Sequence, residues 1–416
     1  ALAKEGRGLP AGRVASRSHA SWWSCLEPRT HSISSRGAVR ILYGVVGEGM
    51  GHATRSRVVI EQLLRRGHEV RVVVSGRAHR FLRERLRDYP RASLEEIQGF
   101  RLVYHRNRLD KRDSLLSQLR GAPHDLTQNL RVYRKVAEDG MQPELVISDF
   151  ESWAAFYAVN HFLPVISLDN LQIITRCQHP AAVTGSPSIN NRLINLAVSL
   201  KVPGVSHYVI TTFFFPPVMK PRTTLVPPIL RREIIEARRE PGSHVLVYQT
   251  SESNEDLMPV LRRLDQEFRV YGMGRVGTEG NVTLREFSEA GFVDDLRTAR
   301  AVIAGGGFTV LSEAVSLGVP VLSVPIEQQF EQELNARYLA HLGYGAWAPA
   351  LDRDVIEAFL ARTDEYAHEL AAFVRPDNEM VFACLDELLT RAASGDLRPA
   401  WLDSPAMGKW LPLRPP

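Results

Sequence analysis

The chain has 416 residues, of which 44% are apolar and 24% charged, with three cysteines and a formal net charge of +4. That balance belongs to a soluble globular chain long enough for two domains, and no run of 18 apolar residues offers a membrane-spanning helix. Cys25, Cys177 and Cys384 lie too far apart for a zinc site or a disulfide framework, so a reducing compartment and a metal-free protein are expected.

Residues 1–37 are rich in Ser, Arg, Gly and Pro, show no periodicity and lack a signal peptide's apolar core, so a disordered extension or a misassigned start is expected there, although the composition is also that of a transit peptide. The N-terminal half, 38–214, opens with an apolar strand over Val39–Val46. The loop GEGMGH follows, Gly47 to His52, then a helix over Ala53–Arg66 and a strand over Glu69–Val74. A glycine loop between strand and helix offers backbone N–H groups and a positive helix end to an anion. An ATPase loop needs Lys where Met50 stands, and a dinucleotide fingerprint needs glycine where His52 stands. His52 can serve as general base on a hydroxyl, donate to a phosphate oxygen, or cap the helix.

From Glu61 to Arg120 fifteen Lys and Arg face eight Asp and Glu. The surplus suits an anionic acceptor or an anionic membrane surface, and equally an arginine-rich GC-rich genome. No nucleic-acid recognition motif accompanies it, so nucleic acid is not expected as a partner. The basic loop Arg101–Arg112 is a candidate acceptor-phosphate contact. Asp113–Glu138 reads as helix interrupted near Gly121–Pro123. A strand over Glu144–Ser148 ends at Asp149, a second candidate base or acceptor contact, or else the cap of a helix over Glu151–His161. Strands over Pro164–Leu168 and His207–Thr212 complete this half, and the proline-dense residues 215–228 read as a linker.

The second half, 229–376, restarts with a strand over His244–Tyr248 that ends in polar Gln249, Thr250 and Ser251; another strand covers Phe268–Tyr271. Ala301–Ala304 is a buried strand, Gly305–Gly307 a turn, and Phe308–Leu317 a helix stopped by Gly318 and Pro320. Three glycines at a helix start suit a diphosphate, and Glu313 in that helix can accept from both hydroxyls of a ribose. After a strand over Val321–Val324, Gln328 and Gln329 offer donors and acceptors to sugar hydroxyls. A helix over 377–393 is long enough to cross back to the first half, and residues 394–416 form a proline-rich tail.

The order of glycines, Glu313 and paired glutamines within Ala301–Leu342 resembles the donor-binding half of GT-B glycosyltransferases. It resembles especially glycosyltransferase family 28, which includes the peptidoglycan N-acetylglucosaminyltransferase, and more so uncharacterised bacterial and archaeal family 28-like proteins. GEGMGH resembles that family's GGTGGH loop in glycine spacing and terminal His. The resemblance implies an α/β GT-B fold, two Rossmann-like domains facing a central cleft. By the same resemblance, Glu313 binds ribose, while Gly306 and Gly307, followed by Phe308 and Thr309, face the diphosphate. Gln328 and Gln329 touch the donor sugar, and Gly49 and Gly51 meet the diphosphate and the acceptor. Thr250 and Ser251 stand where the family's loop meets the donor phosphates, and Phe292 and Val293 where backbone groups hold the base.

The implied activity is inverting transfer of a sugar from a nucleotide diphosphate sugar, a UDP-sugar, to an unidentified lipid- or phosphate-linked acceptor. His52 and Asp149 are the candidate catalytic residues. The implied setting is the cytoplasm, with peripheral contact to the inner membrane face, and neither metal nor resident cofactor is expected. Two other classes stand beside this one. One is a non-catalytic nucleotide-sugar-binding subunit, and the other a nucleotide-sugar epimerase on the same fold.

Overall fold

The computed structural model describes residues 37–47, 49–99, 103–105, 108–184, 189–249, 257–327 and 329–399. Residues 1–36 and 400–416, most of both expected terminal segments, lie outside the described residues. From Ala38 onward the described residues form one compact unit.

The first half is a sheet built from β1 (Arg40–Val45), β2 (Glu69–Val74), β3 (Ala92–Glu96), β6 (Leu145–Asp149), β7 (Val165–Asp169), β8 (His207–Thr211) and β9 (Thr223–Val226), in the order β3-β2-β1-β6-β7-β8-β9. A two-stranded hairpin, β4 (Val103–His105) with β5 (Arg108–Asp110), stands apart from it. All pairings in the large sheet are parallel. β1, β6 and β7 are apolar runs buried along nearly their whole length, as parallel strands covered on both faces must be. The stretch 215–228 is not all linker. Thr223–Val226 pairs with β8 as an edge strand, where prolines on either side interrupt no second ladder. The helix Lys111–Glu138 also runs unbroken through Gly121–Pro123, because long helix-forming flanks absorb the one hydrogen bond that Pro123 removes.

The second half repeats the architecture with β10 (Val245–Tyr248), β11 (Phe268–Tyr271), β12 (Gly277–Glu279), β13 (Val282–Arg285), β14 (Ala301–Ala304), β15 (Val321–Ser323) and β16 (Gly345–Trp347), in the order β12-β13-β11-β10-β14-β15-β16. Only β12 runs antiparallel.

A helix and an aromatic seam are among the features that join the halves. The C-terminal helix Glu379–Ala393 buries Val381, Phe382, Leu385, Leu388 and Leu389 in the core of the first half, beside Ile41, Val59 and Leu63. Each such side chain contributes about 1.5–3 kcal/mol on burial. An aromatic seam also crosses the junction. Phe214 stacks on Tyr338 at 3.8 Å, Phe213 stacks on Phe308 at 5.9 Å, and His179 Nδ1 lies 2.8 Å from the Tyr338 hydroxyl. Among the described residues no helix is long and apolar enough to cross a membrane.

Candidate active site

β1 passes into the helix Met50–Arg65 through Gly49, whose φ of 83° lies in the left-handed region that glycine adopts without strain. The helix starts at Met50 rather than Ala53, so Gly51 and His52 belong to its first turn. Among the described residues no side chain caps it, and its first turn carries no acid, so its first N–H groups and positive end are open to an anion.

His52, Arg55 and Ser56, spaced three and four apart, share one helix face. That face meets Asp149, the last residue of β6, which is 1% exposed. His52 Nδ1 lies 2.8 Å from Asp149 Oδ1. Arg55 donates through Nε to Oδ2 at 2.9 Å and through Nη2 to Oδ1, while Ser56 Oγ donates to Oδ2 at 2.8 Å. Burial opposes the charge on Asp149, but the Arg55 charge and the His52 contact outweigh it and hold the carboxyl well below the usual range. Asp149 does not cap the next helix. Glu151 does, accepting from the Trp153 and Ala154 N–H groups at 2.9 and 2.7 Å. Phe150, between the two acids, takes a φ of 54°, a costly value for a bulky residue.

A polar chain runs from this cluster into the second half. Arg55 Nη1 donates to Asn170 Oδ1, and Asn170 Nδ2 donates to Glu331 Oε1 at 2.6 Å. Glu331 sits in the first turn of the helix Phe330–His341, and Asn335 of that helix donates to the Gly306 carbonyl at 3.0 Å.

The triple-glycine corner follows β14. Gly306 is required by close packing, since a Cβ there would lie 2.2 Å from the Gln332 carbonyl oxygen. Its N–H donates to Gln332 Oε1 at 3.2 Å and its carbonyl accepts from Asn335. Its backbone is therefore engaged by the neighbouring helix. Gly307 remains open. It begins the helix Phe308–Ser316 without a capping side chain, and that helix also lacks an acid in its first turn. Phe308 is buried in the aromatic seam. Thr309 touches the first glycine loop, for a Cβ on Gly51 would lie 2.5 Å from Thr309 Oγ1. Two uncapped helix N-termini, one from each half, thus meet within reach of the His52–Asp149 pair.

Glu313 is 2% exposed, and both its oxygens are taken by Arg231, from Nε at 2.8 Å and Nη2 at 2.7 Å. Burial pushes its carboxyl up against the pull of that arginine. Phe292 and Val293 lie in the helix Glu289–Thr298 with buried side chains, and the Phe292 N–H donates to the Ser288 carbonyl at 2.9 Å. The helix spends the Phe292 N–H on its own ladder. Gln329 caps the helix Phe330–His341 by position, and its Oε1 accepts from Gln332 at 2.6 Å. Thr250, Ser251 and Gln328 lie outside the described residues.

Sequence reasoning missed Arg55, Ser56, Asn170, Arg231, Glu331, Gln332 and Asn335. Helical spacing from His52 could have found the first two. Nothing local marks Arg231, 82 positions from its partner. Its neighbour Glu289 also pairs with Arg57 and Arg85, both from the first half. Among the described residues no group of three or more His, Cys, Asp or Glu side chains is placed to hold a metal ion.

Residues 39–364 match the family model described as glycosyl transferase family 1. An uncharacterized glycosyltransferase of Methanosarcina acetivorans is 24% identical over 330 residues, covering 74% of this chain and 83% of the relative. UGT2 of Phytolacca americana, solved with UDP-2fluoro-glucose and pterostilbene, superposes with a TM-score of 0.61 at 14% identity over 86% of this chain and 100% of its own. MurG of Acinetobacter baumannii superposes with a TM-score of 0.53 at 15% identity over 84% of this chain and 99% of its own. The fold is GT-B.

Proposed function

The chain belongs to glycosyl transferase family 1 and is a glycosyltransferase, and from that premise we propose that it transfers a sugar from a UDP-sugar with inversion at the anomeric carbon. The observation that carries this reading is the meeting of two uncapped helix N-termini at Gly49 and Gly307, beside a His–Asp pair. Two positive helix ends without a capping side chain call for an anion, and a departing diphosphate supplies it. His52 removes the proton of an acceptor hydroxyl while Asp149 holds its ring. The acceptor oxygen bonds to the anomeric carbon, and the carbon–oxygen bond to the diphosphate breaks toward the phosphate. Donor entry exchanges Arg231 for ribose hydroxyls at Glu313 and frees an arginine beside the new negative charge.

The donor is substrate, and no resident cofactor is invoked. The UDP-2fluoro-glucose held by a structural neighbour supports a UDP-sugar. The resemblance of both loops to glycosyltransferase family 28 supports a lipid- or phosphate-linked acceptor. Exposed Leu126, Leu130, Leu196 and Leu200 on helices of the first half support an apolar acceptor portion and peripheral membrane contact from the cytoplasm. The test is thermal stabilisation by a panel of UDP-, GDP-, dTDP- and ADP-sugars. The UDP-sugar is expected to give the largest shift, lost in Glu313→Ala. An equal response to all four, or a full shift in that variant, would overturn the donor assignment.

A further inference from the structure

We propose that Arg55 is a positioning residue for transfer: its guanidinium fork aims the Asp149 carboxylate at His52 and shares its charge, which leaves His52 Nε2 as the proton acceptor. The inference rests on the reading of His52 as the base.

Arg55 is 4% exposed, and every nitrogen of its side chain is engaged. Nε and Nη2 grip the two oxygens of Asp149 in parallel, the bidentate geometry that fixes a carboxylate plane. Nη2 also lies 2.7 Å from His52 Nδ1, the same nitrogen that Asp149 Oδ1 approaches at 2.8 Å. A donor and an acceptor therefore contend for one ring nitrogen. If Nδ1 carries the hydrogen, it donates to a charged oxygen and Nε2 keeps its lone pair. If Nδ1 is bare, it accepts from Arg55 and the hydrogen sits on Nε2, where no base remains. The charged acceptor favours the first state, and the fork keeps that oxygen in place. Nη1, meanwhile, fastens the group to Asn170 and through it to Glu331 of the second half.

The same fork acts after proton transfer. The acceptor O–H bond breaks, the proton goes to Nε2, and an imidazolium faces Asp149. A lone aspartate would trap that cation, whereas one already paired with Arg55 holds it less tightly and lets the proton leave. The other charged or titratable groups acting on the cluster are Asp169 on β7, Tyr43 on β1 and Glu331 from the second half. Asp169 and Glu331 carry the same sign as Asp149, and Asp169 is already held by Ser167 Oγ at 2.7 Å and the Gln172 N–H at 2.9 Å, so neither acid replaces Arg55 as partner to Asp149.

The experiment compares wild type, Arg55→Lys, Arg55→Gln, Arg55→Gln/Asp149→Asn and His52→Ala. Readouts are the pH dependence of UDP release from a UDP-sugar, UDP affinity, and the ¹⁵N signals of the His52 ring. In Arg55→Gln the acid limb is expected to move up by about one pH unit, with imidazolium signals persisting where wild type shows the Nδ1–H tautomer. Arg55→Lys keeps the charge but not the fork, so its limb stays in place while kcat falls about 10-fold or more with UDP affinity unchanged. The double variant brings the limb back down. A limb and ring signals in Arg55→Gln that coincide with wild type would overturn the proposal. Should Arg55→Gln fail to fold, wild-type kcat and KM in Arg55→Lys would do the same. Full activity in His52→Ala sinks the base reading itself, and the ring signals then judge Arg55 separately.

Discussion

Gly51 leaves no room for a side chain, and Gly51→Ala tests how the halves meet. The new Cβ would lie 2.5 Å from Thr309 Oγ1 and 3.2 Å from Thr309 Cβ. The hydroxyl is a side-chain tip and can rotate away, but the Thr309 Cβ retreats only if the helix Phe308–Ser316 moves. Relief requires a few tenths of an ångström of separation between the two helix ends. Overpacking of this size costs about 1–3 kcal/mol of stability. A displacement approaching 1 Å at a reacting centre costs up to about 100-fold in rate, so a fall in kcat of roughly 10-fold is expected. Urea unfolding measures the first effect and UDP release from a UDP-sugar the second. Thr309→Ala in the same chain removes the nearer clash and is expected to recover stability, with a coupling of about 0.5–3 kcal/mol. Strictly additive penalties, or wild-type kinetics in Gly51→Ala, would show that the two glycine loops do not touch in solution.

Asp149→Asn is expected to lower kcat by about 10²–10⁴-fold while UDP affinity holds, as seen by calorimetry and steady-state rates. Its carboxyl is depressed in the fold, so it contributes stability above the unfolded value near pH 3.9 and loses it as pH falls toward the lower folded value. Unfolding followed by circular dichroism should therefore show a shallower acid slope in the asparagine variant. Arg231→Ala strands the buried Glu313 charge and is expected to cost about 3–5 kcal/mol; Arg231→Met/Glu313→Leu regains most of that stability but no donor binding. Glu289→Ala removes one partner from each of Arg57, Arg85 and Arg231, and protease susceptibility at the junction of the halves should rise.

The fold was largely legible because its strands are short apolar runs closed by Gly, Pro or a polar residue. Phe268–Tyr271 and Ala301–Ala304 match their expected bounds, and β1, β6 and β7 fall within a residue of theirs. What escaped were the strands whose pairing, not their sequence, makes them strands. Thr223–Val226 hides among prolines, and Gly277–Glu279 with Val282–Arg285 carries too little apolar patterning to register. In the site, His52 could be singled out from its place at a helix start and Asp149 from its place at a strand end. That they touch could not, because 97 positions separate them. Gly306 shows the converse limit. Its backbone freedom invites an anion, yet the groups that occupy it, Gln332 and Asn335, approach from a helix whose position only the packed structure reveals.

The helix Glu379–Ala393 has a consequence for biosynthesis. The sheet it completes has all its strands once Val226 has been made, yet the five side chains that close its core come roughly 150 residues later. At about 5–20 residues per second, the nascent sheet waits on the order of 10–30 s with an apolar face uncovered. The first half therefore matures only after residues 379–393 have been made, and a premature stop near Pro376 would strike the first half as hard as the second.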